Sequence, residues 1–234
     1  MKETVLIEFY GLPGSGKSTL TKSVLSDEKL NASNILPLKL WRDYQKFDIS
    51  FNSLLKITRV FLTILKNIKL FKGLIFLKSL GRKKLYLYRI YVLFKTLSMI
   101  RYYSKRYDLI ILEEGVIQNL WSIITLLDSK NDIQYFFSKV KDSKFSLFFY
   151  LKVNSETASQ RVILRSSKHK QTRFNGMTEK ELVSVFNGNS YVFENFSEQD
   201  RWKTHTIDAN SDIESNIKNI VELITHTTKR AFQQ

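Results

Sequence analysis

The sequence predicts an α/β domain built on a mostly parallel sheet. Three observations predict it. Short apolar runs of strand length alternate with helical stretches, a Gly-rich turn joins the first run to the first helix, and one very apolar run ends directly in acid. Val5–Tyr10 (VLIEFY) reads as the first strand, Gly11–Gly16 as the turn, and Lys17–Asp27 as the helix. Ile35–Leu40 is the expected second strand. Asp108–Leu112 (DLIIL) has four apolar residues behind a charge, too short for a helix core and right for a buried strand. Phe145–Val153 is another strand. Thr204–Ile207 is a short last one, leading into a helix over Asp212–Thr225.

Composition narrows the class. A chain of 234 residues, 43% apolar and 13% aromatic, can bury one sizeable core, which excludes intrinsic disorder. The absence of Cys excludes disulfides, thiolate metal sites and a Cys nucleophile. The opening MKETVLIEFYG lacks the charged, apolar and small-residue segments of a signal peptide. The expected location is therefore cytoplasmic, with peripheral membrane contact considered because of the charge pattern.

The formal net charge of +15 is unevenly placed. From Ile49 to Tyr107 there are 59 residues, 14 of them basic and none acidic, which leaves 23 basic and 22 acidic residues elsewhere. This divides the chain into a nearly neutral core, residues 1–48 and 108–234, and a basic insert, residues 49–107. Within the insert Leu54, Ile57, Phe61, Ile64, Ile68, Phe71 and Ile75 recur at alternating spacings of three and four, one helical stripe. A second, Tyr-rich helix is expected over Arg82–Lys105, with the turn at Gly81. The bland expectation is that the stripe packs on the core and the lysines form its solvated face. The sharper one is a cationic surface for an anionic partner: membrane lipid first, then nucleic acid. No charge-free apolar run reaches the roughly 20 residues that cross a bilayer.

The strongest local signal is Gly11-Leu-Pro-Gly14-Ser15-Gly16-Lys17-Ser18-Thr19, which fits G-x-x-x-x-G-K-[ST] between a strand and a helix. Glycines let backbone N–H groups turn inward around phosphate oxygens, Lys17 reaches the β- and γ-phosphates, and Ser18 offers a hydroxyl to Mg²⁺. The helix that begins here points its positive end at the anion. Such a loop needs a carboxylate at a neighbouring strand end, to orient Mg²⁺ or to accept a proton. Glu113 and Glu114 follow the DLIIL strand. After the Phe145 strand, Ser155 is the expected N-cap of a helix that carries Arg161 and Arg165 four residues apart on one face. Ser166–Arg173 reads as a basic loop.

In order and spacing these segments resemble the small P-loop kinases of the nucleoside and nucleotide kinase group, the thymidylate kinase-like branch above all. The resemblance covers residues 3–28 and 108–225 through GLPGSGKST, DLIILEEG, YLKVNSETASQRVILR and TIDAN. It implies a three-layer α/β/α fold with a five-stranded parallel sheet. It also implies ATP and Mg²⁺ as cofactors, with Mg²⁺ on Ser18 and Glu113. A lid bearing Arg161 and Arg165, together with Arg173, would close over ATP, and Ala209 and Asn210 would lie near the adenine. Glu114 stands where the family carries an Arg that helps hold the acceptor, and the basic insert replaces the region that shapes the acceptor pocket.

The function expected is ATP-dependent phosphoryl transfer to a hydroxyl or phosphate of a small or lipid-linked acceptor. Lys17, Glu113, Arg161 and Arg165 carry it, and Glu113 serves as general base or as the group that orients a Mg²⁺-bound water. The alternative is a P-loop ATPase or nucleotide-dependent interaction module, in which Glu114 activates water and the insert binds membrane, nucleic acid or a protein. The sequence leaves the acceptor and the oligomeric state open, a homodimer included.

Overall fold

Alternation along the first strand divides the interior into two faces. The structure is a computed structural model that describes residues 4–30, 34–37, 51–75, 83–127, 145–168, 174, 176–198 and 203–232. Strand β1 (Val5–Gly11) is buried along its whole length, so its side chains separate by parity, not into core and solvent sets. Val5, Ile7 and Phe9 enter the cluster on one face; Leu6 and Tyr10 enter a larger cluster on the other. Strands β2 (Leu109–Leu112), β3 (Phe145–Lys152) and β4 (Thr204–Asp208) complete a parallel sheet in the order β2-β1-β3-β4. Phe9 and Tyr10 stand opposite Phe149 and Tyr150 in register. Both pairs stack, with ring centroids 5.0 Å and 5.2 Å apart, each worth about 1 kcal/mol beyond the area it buries.

The sheet has four strands among the described residues, where five were expected. At the expected second strand Ile35 makes one parallel bridge to Leu109, and Leu36 N donates to Leu109 O at 3.0 Å. Pro37 follows at once and has no N–H to continue the ladder. Leu38–Leu40 lie outside the described residues.

Helices cover both faces, giving three layers. Helices α1 (Lys17–Leu25) and α9 (Ile213–Phe232) pack together over the Val5–Phe9 face through Leu20, Val24, Ile220 and Ile224. The opposite face is covered by α5 (Val116–Ile124) and α8 (Tyr191–Ser197); α6 (Ser155–Lys168) and α7 (Glu179–Asn187) pack as a pair beside them. The sequence reading did not assign α5, α7 or α8. Yet α7 opens with a legible capping box, in which Glu181 N donates to Thr178 Oγ1 and Thr178 N donates to Glu181 Oε2 at 2.7 Å. The α6 cap differs from expectation. Asn154 Oδ1, not Ser155, accepts from Thr157 N at 2.7 Å, because Ser155 is already helical and buried. The helix also extends through Ser166–Lys168, which the sequence reading gave to a loop.

The insert forms α2 (Phe51–Lys66), α3 (Ile68–Ile75) and α4 (Lys83–Tyr103). Its buried side chains join the same cluster as Leu6, Tyr10 and α5. The expected turn at Gly81 lies outside the described residues. The expected stripe is turned largely outward. Val60, Thr63, Leu70 and Leu74 are buried instead, Ile64 and Phe71 are half-buried, and Ile57, Phe61, Ile68 and Ile75 are exposed. The helix breaks at Asn67, whose Nδ2 donates to Thr63 O at 2.9 Å. The ridge of these two helices packs along α4, and the side carrying Val60, Thr63, Leu70 and Leu74 is the buried one. Some of the cationic charge is used internally, since the Arg59 and Arg106 guanidinium groups lie 4.0 Å and 4.4 Å from the Tyr102 ring centroid. Among the described residues no helix is long and apolar enough to cross a membrane.

Trp121 on α5 is the largest fully buried side chain among the described residues; it stacks on Phe193 at 5.3 Å and donates from Nε1 to Asn189 O at 3.0 Å. Trp121→Ala is expected to lower unfolding free energy by about 3–5 kcal/mol, measured by chemical denaturation.

Candidate active site

The phosphate-loop geometry begins with glycine. Gly14 sits at φ 87°, and a Cβ there would lie 2.4 Å from the Ala158 carbonyl oxygen, so α6 rests directly on the loop backbone. Gly16 is the N-cap of α1 at φ 90°, offers no side chain to that helix end, and faces open space where a Cβ would stand. The first-turn N–H groups of α1 are thus not taken by a side-chain cap at Gly16, and they carry the positive end of the helix dipole. Ser18 and Thr19 are exposed on this turn.

Lys17 is buried beside the loop. Its Nζ donates to Gly11 O at 2.9 Å and to Leu12 O at 2.8 Å, with a longer contact to Ser15 Oγ at 3.4 Å. Burial pulls its ammonium down to about 8, opposed by Glu114, reinforced by Arg165, and opposed again by Glu113. Four of the residues expected to carry the chemistry therefore share one electrostatic neighbourhood, and Lys17 remains largely cationic at neutral pH. Glu113 is half-buried and Glu114 exposed, both beyond the C-terminal end of β2. This is the edge of a parallel sheet where ligands bind.

Helix α6 supplies the arginines. Ala158 and Val162 are fully buried, and Arg161 and Arg165 are exposed. Arg161 reaches Gly14 O at 3.4 Å through Nη1 and Asn210 Oδ1 at 3.5 Å through Nη2. It spans the phosphate loop and the turn after β4. In that turn Ala209 N donates to Lys152 O and Asn210 N donates to Asp208 Oδ1, both at 2.9 Å. Arg173 lies outside the described residues.

Two residues that sequence reading missed connect the parts. Glu8 projects from β1 on the Leu6 and Tyr10 face, fully buried, and accepts from Val116 N at 2.8 Å and Gln118 N at 3.0 Å. It caps α5 from a distant strand. Gln118 Oε1 in turn accepts from Gly11 N at 3.3 Å. The two contacts fix the start of α5, and with it the acidic pair just before Gly115, against the phosphate loop. Burial raises the Glu8 carboxyl to about 7, and the amides of Gln118, Ile117, Val116 and Gly115 pull the other way. Gly115 is required by contact, since a Cβ would meet Glu8 Oε2 at 2.4 Å. A charged letter inside an apolar strand was the signal available for Glu8.

The donor set suits a magnesium nucleotide. The Ser18 hydroxyl and the half-buried Glu113 carboxylate are hard oxygen ligands, and a nucleotide's phosphates complete such a site without an all-protein cage.

The order of the sheet, the loop after β1 and the helix laid over that loop together are the fold of the P-loop kinases. The chain is similar to three solved structures of deoxyadenosine kinase from M. mycoides. With products dCMP and a flexible dCDP the TM-score is 0.55 at 18% identity, over 95% of this chain and 100% of that one. With dATP the values are 0.54 and 18%, over 94% and 99%, and with dCTP 0.52 and 18%, over 95% and 100%. No protein-family model and no curated protein matches the chain.

Two tests follow from the Glu8 link. Its folded value near 7 lies above the ordinary 4.5, so its contribution to stability is full below about pH 4.5 and is lost as pH rises through about 7. Wild-type unfolding free energy should fall by on the order of 3 kcal/mol across that window relative to Glu8→Gln, read by denaturation at each pH. Gly115→Ala should displace the carboxylate from the α5 amides and cost about 1–3 kcal/mol by the same measurement.

Proposed function

We propose that the chain is a P-loop phosphotransferase of the nucleoside and nucleotide kinase type. It moves the γ-phosphate of ATP to a hydroxyl or phosphate oxygen of a small acceptor, for which nucleosides and nucleotides are the first class to test. The single observation that carries this reading is the phosphate loop, with Gly14 and Gly16 at positive φ, no side-chain cap on α1 and the buried Lys17 ammonium on Gly11 O and Leu12 O. Arg161 ties the arginine helix to the loop. The similarity to kinases that bind dATP, dCTP and dCMP supports a nucleotide ligand. The order of segments supports the thymidylate kinase-like branch. Glu114, standing where that branch carries an acceptor-holding Arg, supports an acceptor other than thymidylate.

Mg²⁺, when bound, neutralises charge across the β- and γ-phosphate oxygens. Ser18 and Glu113 would hold it. Lys17 would exchange its loop carbonyls for phosphate oxygens, and Arg161 and Arg165 would meet the charge that develops on the transferring group. The acceptor oxygen bonds to the γ-phosphorus, the bond from that phosphorus to the β,γ-bridging oxygen breaks, and ADP leaves. The acceptor's proton passes to Glu114.

The experiment is transfer of labelled γ-phosphate from ATP across nucleosides, nucleoside monophosphates, sugars and lipid extracts. With the acceptor found, Lys17→Ala is expected to lower transfer on the order of a thousandfold with the fold retained by circular dichroism. Undiminished transfer refutes the assignment, and phosphate release that no acceptor alters refutes the kinase reading.

A further inference from the structure

The outward face of α2 and α3 combines two properties that a solvated helix face keeps apart. The first is apolar exposure. Ile57, Phe61, Leu65 and Ile68 follow at spacings of four, four and three, on one side of the ridge, and are 49%, 58%, 51% and 39% exposed. Isolated exposed leucines need no explanation, but a continuous stripe of large side chains does. The second is one-sided charge. Lys66, Lys69 and Lys72 are exposed beside the stripe, and no acidic residue occurs anywhere from Ile49 to Tyr107.

We propose that this face docks on the surface of an anionic lipid bilayer, with α2 and α3 lying in the interface. The stripe enters the headgroup boundary, and the lysines meet lipid phosphates and carboxylates. Each alternative occupant conflicts with one of the two properties. A second copy of this chain would set lysines against lysines with no carboxylate from the insert to answer them, which like-charge repulsion opposes. A nucleic acid would be met by branched aliphatic side chains and one aromatic, Phe61, instead of the successive aromatic platforms on which bases stack. The helices lie along the bilayer instead of crossing it, since none described is long and apolar enough to span. Docking is independent of the proposed chemistry and needs no nucleotide.

The test is co-sedimentation of the full chain with vesicles, without ATP. Phosphatidylcholine vesicles containing phosphatidylserine are expected to retain the protein and pure phosphatidylcholine vesicles to release it, with binding weakened by added salt. Reversing Lys66, Lys69 and Lys72 to Glu should lower partitioning on the order of a hundredfold, and Phe61→Ser with Leu65→Ser by about tenfold or more. Because these side chains are largely in solvent, the variants should melt as wild type does. As a readout free of that assumption, Phe61→Trp should gain blue-shifted emission on anionic vesicles and none on neutral ones. Equal binding to both vesicle types, or binding that survives both sets of substitutions, overturns the proposal. So does a dimer in sedimentation analysis that Phe61→Ser dissolves, or retention on single-stranded RNA without retention on vesicles.

Discussion

One buried carboxylate sets the relation between the two halves of the site. The phosphate loop belongs to β1 and the acidic pair to β2, and sheet pairing alone fixes only their backbones. Glu8 adds a direct bond from β1 to the start of α5, and Gln118 returns from α5 to the loop at Gly11. The arrangement is a closed circuit of strand, helix and loop. Its cost is desolvation of a carboxyl group; its compensation is the ring of amides at a helix N-terminus, which favours the charged form. Desolvation outweighs the amides, which is why the carboxyl is raised to about 7. A buried group held at such a cost is better explained by positioning than by stability, because an apolar residue of like volume would pack without the desolvation cost.

The charge of the molecule sorts in a similar way. Within the site, charges of both signs on Glu114, Arg165 and Glu113 act on the buried Lys17 ammonium. On the insert, charge of one sign is spread over helices whose inner side shares the core of the sheet. The insert is therefore fastened by apolar packing and by the arginine pair on Tyr102, and its lysines are left to the exterior. Fold and surface are thus specified by different residues of the same helices.

Much of this was legible in the sequence, for physical reasons that differ from residue to residue. Gly14 and Gly16 could be read because a phosphate loop makes backbone demands that glycine meets at fixed spacing. Asp108–Leu112 could be read because four apolar residues in a row suit a strand buried on both sides. Glu8 is visible as an acid in an apolar strand, but its role is not, since its partners Val116 and Gln118 lie more than a hundred residues away and a lone acid in a strand usually marks a solvated side. Periodicity placed Ile57, Phe61, Ile68 and Ile75 on one stripe correctly as to spacing and wrongly as to which side is covered. A helix pattern records its own asymmetry and not the position of its neighbour. Pro37 was visible and was outweighed by the apolar run around it. Thr178 and Glu181 are equally visible as a capping box, so the start of α7 is legible in the sequence.

The long separation of partners also has a temporal meaning. Val5 pairs with Leu109, and Leu6 and Ile7 pair with Phe145 and Leu147, so both edges of the central strand wait for chain not yet made. At a synthesis rate of about 5–20 residues per second, β1 spends roughly 5–20 s without either neighbour. Helices of the insert emerge during that interval, and their contacts are local enough to form at once. They join the cluster that Leu6 and Tyr10 occupy in the finished protein. What lies between the first two strands is then more than an elaboration of the site. It is the first apolar surface offered to the Leu6 and Tyr10 side of a strand whose other side α1 already covers.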